Sequence, residues 1–554
     1  MDIKNTYMRN CLFLLAMLQI YTASAQDSVT FSQIAGTEKM FGLSFSQAKR
    51  DSMTGILTGK VKTYSYLHAQ NLGNEAPFPL WFNPILPDMM VPRNQMTVHF
   101  DIPEQAALPA DRNQLAFYSI PQLASLIKHR KITSEQLTRF FLDRLKKYAP
   151  VLHCAIEITE DLAISQAKNA DAEIAKGKYR GPLHGIPYGI KDLFAVEGTH
   201  TTWGTPPYRN QVIHQTAFVA AQLQRAGAVL IAKLSLGELA MDDIWFGGLT
   251  RNPWDTAKGS GGSSAGSASA TAAGLVPFAI GTETYGSIVD PSMRCGVTGL
   301  RPTYGTVART GAMALAWTSD KIGPICRSAE DAAIVYYYIR GADKIDASSI
   351  QSAFNYTGST DIKKLRIAYA KNYIDTLPAN SPEKQTLVTL KEMGAQLIPF
   401  VFPDSLHGDE ILSLIVVVEG AAAFDPLTRS SQDDEMVQQN KDRWPNTFRS
   451  SRFVPAVEYI NACRMRYQIM KKMDPVLDSY DIIIAPPETG DQLAITNLTG
   501  NPSVTLPNGF LPDGMPASIT FIGKHFGEAT LLAFAKAYQQ QTGFHLKHPP
   551  GFTK

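Results

Sequence analysis

From about Tyr118 onward, helical patterns and short apolar strands alternate, and this alternation is what most limits the fold. Thr133-Ser134-Glu135-Gln136 has the form of a capping box, and Leu137, Phe140, Phe141 and Leu145 follow at helical spacing. Gly185 to Ile190 reads as a short strand ending in Lys191-Asp192. Thr216 to Ala226 reads as a helix stopped by Gly227, and Ala228 to Leu234 (AVLIAKL) as a buried strand. Further strands are predicted at Leu365 to Ala370, Ala395 to Phe400 and Tyr480 to Ala485. Ser381-Pro382-Glu383 places a cap, then proline at the first helical position, between the first two of these. The pattern predicts an α/β protein with a covered, largely buried sheet. No internal repeat is present, and no linker divides residues 118–554.

The N-terminal portion has a different texture. Lys4 and Arg9 give a basic start, Cys11 to Tyr21 (CLFLLAMLQIY) is a short apolar run, and Ala23-Ser24-Ala25 supplies small residues. These are the parts of a signal peptide cleaved after Ala25. The apolar run is too short to cross a bilayer core of about 30 Å as a helix. The expectation is therefore export to a periplasmic or extracellular space, with no membrane span. Leu412 to Val418 is apolar too, but only long enough for a buried strand or helix segment. Residues 26–117 lack strand alternation; helical pieces are predicted around Thr37 to Thr58, followed by PFPLWFNPILP, which suits an extended segment lying on a larger body. The division this implies is a signal peptide at 1–25, an N-terminal extension at 26–117 packing on the main domain, and that domain at 118–554.

Composition excludes several functions. A net charge of +2 without a dense Lys/Arg tract gives no surface for nucleic acid or anionic membranes. After loss of Cys11, Cys154, Cys295, Cys326 and Cys463 remain, widely spaced and without a CxxC pair, which favours buried free thiols. His545 and His548 form the one close histidine pair, in a Pro-flanked tail, and no HExxH occurs, so neither a metal nor another cofactor is implied.

Three segments carry the chemistry: GIPYGIKD (185–192), GSGGSSAGSASA (259–270) and GTETYGSIVDPS (281–292). A Gly/Ser-rich stretch alone reads as a flexible linker. Here an Ala-rich, helix-favouring stretch follows directly, and the Gly-Lys-Ser/Thr ending of a phosphate loop is missing. What remains is a tight loop of small residues displaying serine hydroxyls near a helix N-terminus.

Together, in this order, the three segments resemble the amidase-signature family, which includes acyl and peptide amidases and the glutaminase subunit of tRNA-dependent amidotransferases. RNPWD (251–255), GLRPTYGTVAR (299–309), SDKIGP (319–324), TGNPSVTLPNGF (499–510) and the run 513–523 also resemble family stretches, so the likeness spans about 118–545. The resemblance implies a single large domain with a central mixed sheet covered by helices on both faces. It implies Lys191 as base, Ser263, on a cis peptide, as proton relay, and Ser287, 24 residues later, as nucleophile forming an acyl-enzyme. The backbone N–H groups of Thr284, Tyr285, Gly286 and Ser287 would form the oxyanion hole. A lysine acts as a base only when neutral, so Lys191 needs a pKa lowered by burial or nearby positive charge.

Three residues near Ser287 depart from the family pattern. Glu283 stands for Asp, Tyr285 for Gly and Val289 for Arg. Loss of the arginine predicts a changed or absent ion pair behind the loop. Tyr285 is strained if its position needs positive φ; otherwise its ring reshapes the pocket. The expected activity is hydrolysis of a small carboxamide at its C–N bond. The alternatives are a glutaminase-type component of an amidotransferase, which a signal peptide opposes, and a silent binding protein, which the retained Lys/Ser/Ser set opposes. The variable segments 26–115 and about 400–475 are expected to build the acyl and amine pockets; Met436, Trp444 and Phe448 are apolar candidates there, although residues of this kind serve packing more often than substrate contact. The sequence leaves the particular amide and the oligomeric state open.

Overall fold

The alternating segments assemble into one eleven-stranded sheet, seen in a computed structural model that describes residues 28–74, 76 and 80–554. The signal-peptide expectation at 1–25 lies outside the described residues. Two units are present, a first ending at Ala76 and a second running from Pro77 to Lys554. The first holds the helices Phe31–Met40, with a Thr30/Gln33 capping box, and Gln47–Ala69. The second unit holds the sheet.

Its strands are β1 (Ala155–Ile158), β2 (Pro187–Lys191), β3 (Val229–Leu234), a small hairpin of β4 (Ile244–Trp245) and β5 (Gly248–Leu249), β6 (Phe278–Glu283), β7 (Thr298–Arg301), β8 (Lys321–Cys326), β9 (Ile367–Ala370), β10 (Leu397–Phe400), β11 (Ile482–Ala485), β12 (Ser503–Phe510) and β13 (Pro516–Gly523). The large sheet runs in the order β1-β3-β2-β6-β8-β7-β12-β13-β11-β9-β10. It is mixed: β2 is parallel to both β3 and β6, whereas β8 is antiparallel to β6 and β7. Every residue of β2, β3, β6 and β8 is buried. Because successive strand residues point to opposite faces, both faces of the sheet must be covered by helices.

Local chemistry sets the boundaries. Thr133 and Gln136 form the capping box that starts the helix Ser134–Leu152. Ser381 caps Pro382–Glu392, with Pro382 at its start. The helix Phe218–Ala226 ends at Gly227, whose φ of 82° closes the turn. Leu412 to Val418 lies within the helix Gly408–Ala423. The extended stretch after residue 80 lies on the body of the unit: the Phe82 ring meets Tyr304 edge-on at 4.9 Å and sits 3.3 Å under the Arg466 guanidinium. Among the described residues no helix is long and apolar enough to cross a membrane. Cys154, Cys295, Cys326 and Cys463 are all free thiols, the first three buried.

Candidate active site

Lys191 ends β2, and the parallel register with β6 brings it beside Thr282, the next-to-last residue of that strand. Between β5 and β6 the Gly/Ser-rich loop enters the helix Ala265–Ala272, which carries Ser263 and Ser264 to the same point. The peptide bond between Gly262 and Ser263 is cis. Only glycine fits at 262, because a Cβ there would lie 1.8 Å from the carbonyl oxygen of Asp242. The Gly262 N–H donates to Asp290 Oδ2 at 2.8 Å, and the Gly261 N–H to Asp243 Oδ2 at 3.0 Å, so two carboxylates hold the loop by its backbone.

The Lys191 amine sits inside a cradle of three hydroxyls, at 2.8 Å from Ser263 Oγ, 2.9 Å from Thr282 Oγ1 and 3.2 Å from Ser264 Oγ. Lys191 is 0% and Ser263 1% exposed. Burial pulls the Lys191 pKa down from 10.5 to about 7, against the opposing pull of Asp320 and Glu283. Ser264 has no choice of role here. Its hydroxyl donates to the Thr282 carbonyl at 3.1 Å, so its oxygen faces Lys191 only as an acceptor. That occupies one amine hydrogen and leaves Ser263 and Thr282 to share the other hydrogen and, in the neutral form, the lone pair. Neither Ser264 nor Thr282 stands out in the sequence as a partner of the lysine, since only the sheet register reveals it.

Ser287 is 8% exposed and lies in the loop between β6 and the helix Val289–Cys295. Its carbonyl accepts from the Ser264 N–H at 3.2 Å, which ties this loop to the serine loop. Gly286, at a φ of 84°, makes the turn, and its carbonyl accepts from the Asp290 N–H at 2.8 Å. Across a planar trans peptide the C=O and N–H point in opposite directions. The Ser287 N–H therefore points away from the helix. Among the described residues none accepts from the backbone N–H groups of Tyr285, Gly286 or Ser287. Thr284 is anchored through its hydroxyl to Asp320 Oδ1 at 2.6 Å.

The three departures from the family pattern acquire physical meaning. Glu283 pairs with Arg301 at 2.9 Å, both fully buried, so the ion pair behind the loop is changed rather than absent. The same carboxylate accepts from the N–H groups of Ile288 and Val289 at 2.9 and 3.0 Å and from Asn497 at 3.0 Å. Burial alone would raise the Glu283 pKa, but Arg301 and Lys321 overcome it and hold it at about 2. Tyr285 is not among the positive-φ residues, and Gly286 carries the turn instead, so the tyrosine is unstrained. Its ring is half-buried, and its hydroxyl donates to Asp409 Oδ1 at 2.6 Å, at the start of the helix Gly408–Ala423.

Met436, Trp444 and Phe448 are buried in packing rather than displayed. Trp444 and Phe448 stack with centroids 4.9 Å apart, and Phe448 stacks again on Phe424. His548 stacks on Phe117 at 3.9 Å.

This sheet, with its buried lysine among serines, defines a class: the Amidase family model matches residues 136–532, and the chain belongs to that family. Among known proteins it is similar to the A component of the glutamyl-tRNA(Gln) amidotransferase of Coxiella burnetii, 34% identical over 479 residues, covering 78% of this chain and 99% of that one. It is also similar to the crystal structure of the peptide amidase of Stenotrophomonas maltophilia, with a TM-score of 0.71 and 27% identity over 80% of this chain and 100% of that one. The crystal structure of the same amidotransferase component from Thermotoga maritima gives a TM-score of 0.68 and 25% identity over 81% of this chain and 100% of that one.

Proposed function

We propose that the protein is an exported amidase that hydrolyses the C–N bond of a small carboxamide through a Ser287 acyl-enzyme. The observation that carries this reading is the buried Lys191 amine, 2.8 Å from Ser263 Oγ, with a pKa lowered to about 7. A neutral lysine takes the Ser263 proton while Ser263 takes the proton of Ser287, and the freed alkoxide attacks the amide carbonyl. The tetrahedral oxyanion is received by the backbone N–H groups of the 284–287 loop. Removing one such donor typically costs about 3 kcal/mol of barrier. The relay runs back to protonate the leaving amine, and water, activated by the same lysine, releases the acid and frees Ser287.

A second reading is favoured by one observation: this chain covers nearly the whole of the glutamyl-tRNA(Gln) amidotransferase component from Coxiella burnetii, with 34% identity. In that reading the same chemistry releases ammonia from glutamine for a partner. The export signal read in residues 1–25 speaks for the stand-alone hydrolase.

The test is a panel of primary carboxamides, peptide C-terminal amides, anilides and free glutamine given to the purified protein alone, with released amine or ammonia measured. Turnover of any amide without a partner supports the hydrolase. Turnover of glutamine only, and only after a cell extract is added, favours the amidotransferase reading.

A further inference from the structure

Lys321 lies directly behind the loop that bears Ser287, and the mechanism above does not use it. It opens β8 and pairs across the ladder with Glu283, the last residue of β6. It is 2% exposed. Its amine donates to two backbone carbonyls, a close contact to Ser319 O and a longer one to Thr284 O at 3.5 Å. The preceding residue, Asp320, receives the Thr284 hydroxyl, and its other oxygen accepts from the N–H groups of Leu315 and Ala316 at 2.8 and 3.1 Å. Adjacent residues thus grip Thr284 at two points, one on the side chain and one on the carbonyl. Lysine is a costly choice for this place, since burial and the neighbouring Arg301 both oppose its charge. In either charge state the amine has at least two N–H donors, enough for its two carbonyl partners.

We infer that Lys321 is a positioning residue that aims the Tyr285 N–H into the oxyanion hole by holding the Thr284 carbonyl from the opposite side. The peptide between Thr284 and Tyr285 is trans, so fixing its carbonyl toward Lys321 fixes its N–H away from Lys321. That N–H has no acceptor among the described residues. On the far side of the turn, Gly286 O is held by the Asp290 N–H at 2.8 Å, which fixes the Ser287 N–H by the same rule. One donor is therefore set by the helix Val289–Cys295 and the other by a side chain. The inference rests on Ser287 being the nucleophile.

The experiment is the rate of phosphonylation by a fluorophosphonate, whose reacting phosphoryl oxygen needs the same donors. The full-length protein is compared with Lys321→Met, Lys321→Gln and Lys191→Ala, reading the maximal rate, the half-saturating probe concentration and the number of sites labelled. Lys321→Met is expected to slow the maximal rate about 10- to 100-fold with half-saturation within about twofold. All sites should still label, and Lys321→Gln, which keeps an N–H donor, should recover part of the rate. An unchanged maximal rate in a folded Lys321→Met protein overturns the inference. So does a smaller number of labelled sites reacting at the normal rate, the sign of a purely structural role. Loss as complete as in Lys191→Ala also overturns it, because Lys321 would then act as a base. If the wild-type protein does not label at Ser287, the reading of the site fails, and the inference fails with it.

Discussion

Glu283 and Arg301 form a fully buried ion pair at 2.9 Å, with Glu283 also holding the backbone of the loop that follows Ser287. Removing one partner of such a pair leaves a charge buried without compensation, at a cost of about 3–5 kcal/mol. Glu283→Gln is therefore expected to lower the thermal unfolding midpoint clearly at pH 7, measured at a fixed scan rate. The pH dependence follows from the depressed pKa. With a folded value of about 2 against an ordinary 4.5, the carboxylate contributes fully above pH 4.5 and loses its contribution as pH falls toward 2. The gap in midpoint between wild type and variant should narrow over that window. A gap that is independent of pH there would show that the charge is not what stabilises the loop.

Lys191 predicts the pH profile of the reaction. With a pKa lowered to about 7, the neutral base is scarce below that pH and predominates above it. The rate of serine labelling, or of amide turnover at low substrate, should rise through neutral pH and level off on the alkaline side. A profile that stays flat from about pH 6 to 9 would remove Lys191 as the titrating base.

Much of this architecture is legible in the sequence because it is local. The strand ending at Lys191, the capping boxes and the Gly-stopped helix are written in neighbouring residues. Ser263 and Ser287 stand out through their motif. The partners that complete the site are not local. Arg301 meets Glu283 because β7 and β6 flank β8 in the sheet, and no spacing rule encodes that neighbourhood. Thr282 reaches Lys191 only through the register of β2 with β6. Trp444 and Phe448 show the limit of residue type alone: apolar residues in a variable segment suit pocket lining and packing equally, and here their rings stack on each other.

Thr282 is expected to matter through the lysine it touches. Thr282→Val keeps the volume and removes the hydroxyl at 2.9 Å from the Lys191 amine. With one of its three oxygen partners gone, the lysine is held less tightly and labelling should slow by about fivefold, consistent with a hydrogen bond worth about 1 kcal/mol. An unchanged rate and pH profile would mean that Ser263 and Ser264 hold the lysine unaided.

Tyr285 predicts selectivity. Its hydroxyl bridges the Ser287 loop to Asp409 at 2.6 Å, which places the ring as a wall beside the candidate oxyanion hole. Tyr285→Gly should broaden the range of acyl groups accepted while turnover is kept, as read from relative kcat/KM across an amide panel. An unchanged substrate profile would deny the ring any pocket role.

The central claim is that Ser287 is a nucleophile activated by Lys191, and the most direct measurement is to map a fluorophosphonate adduct by mass spectrometry. The account predicts one adduct, on Ser287, in the wild-type protein and none in Lys191→Ala under the same conditions. An adduct on another serine, or equal labelling of Ser287 without the lysine, would contradict it.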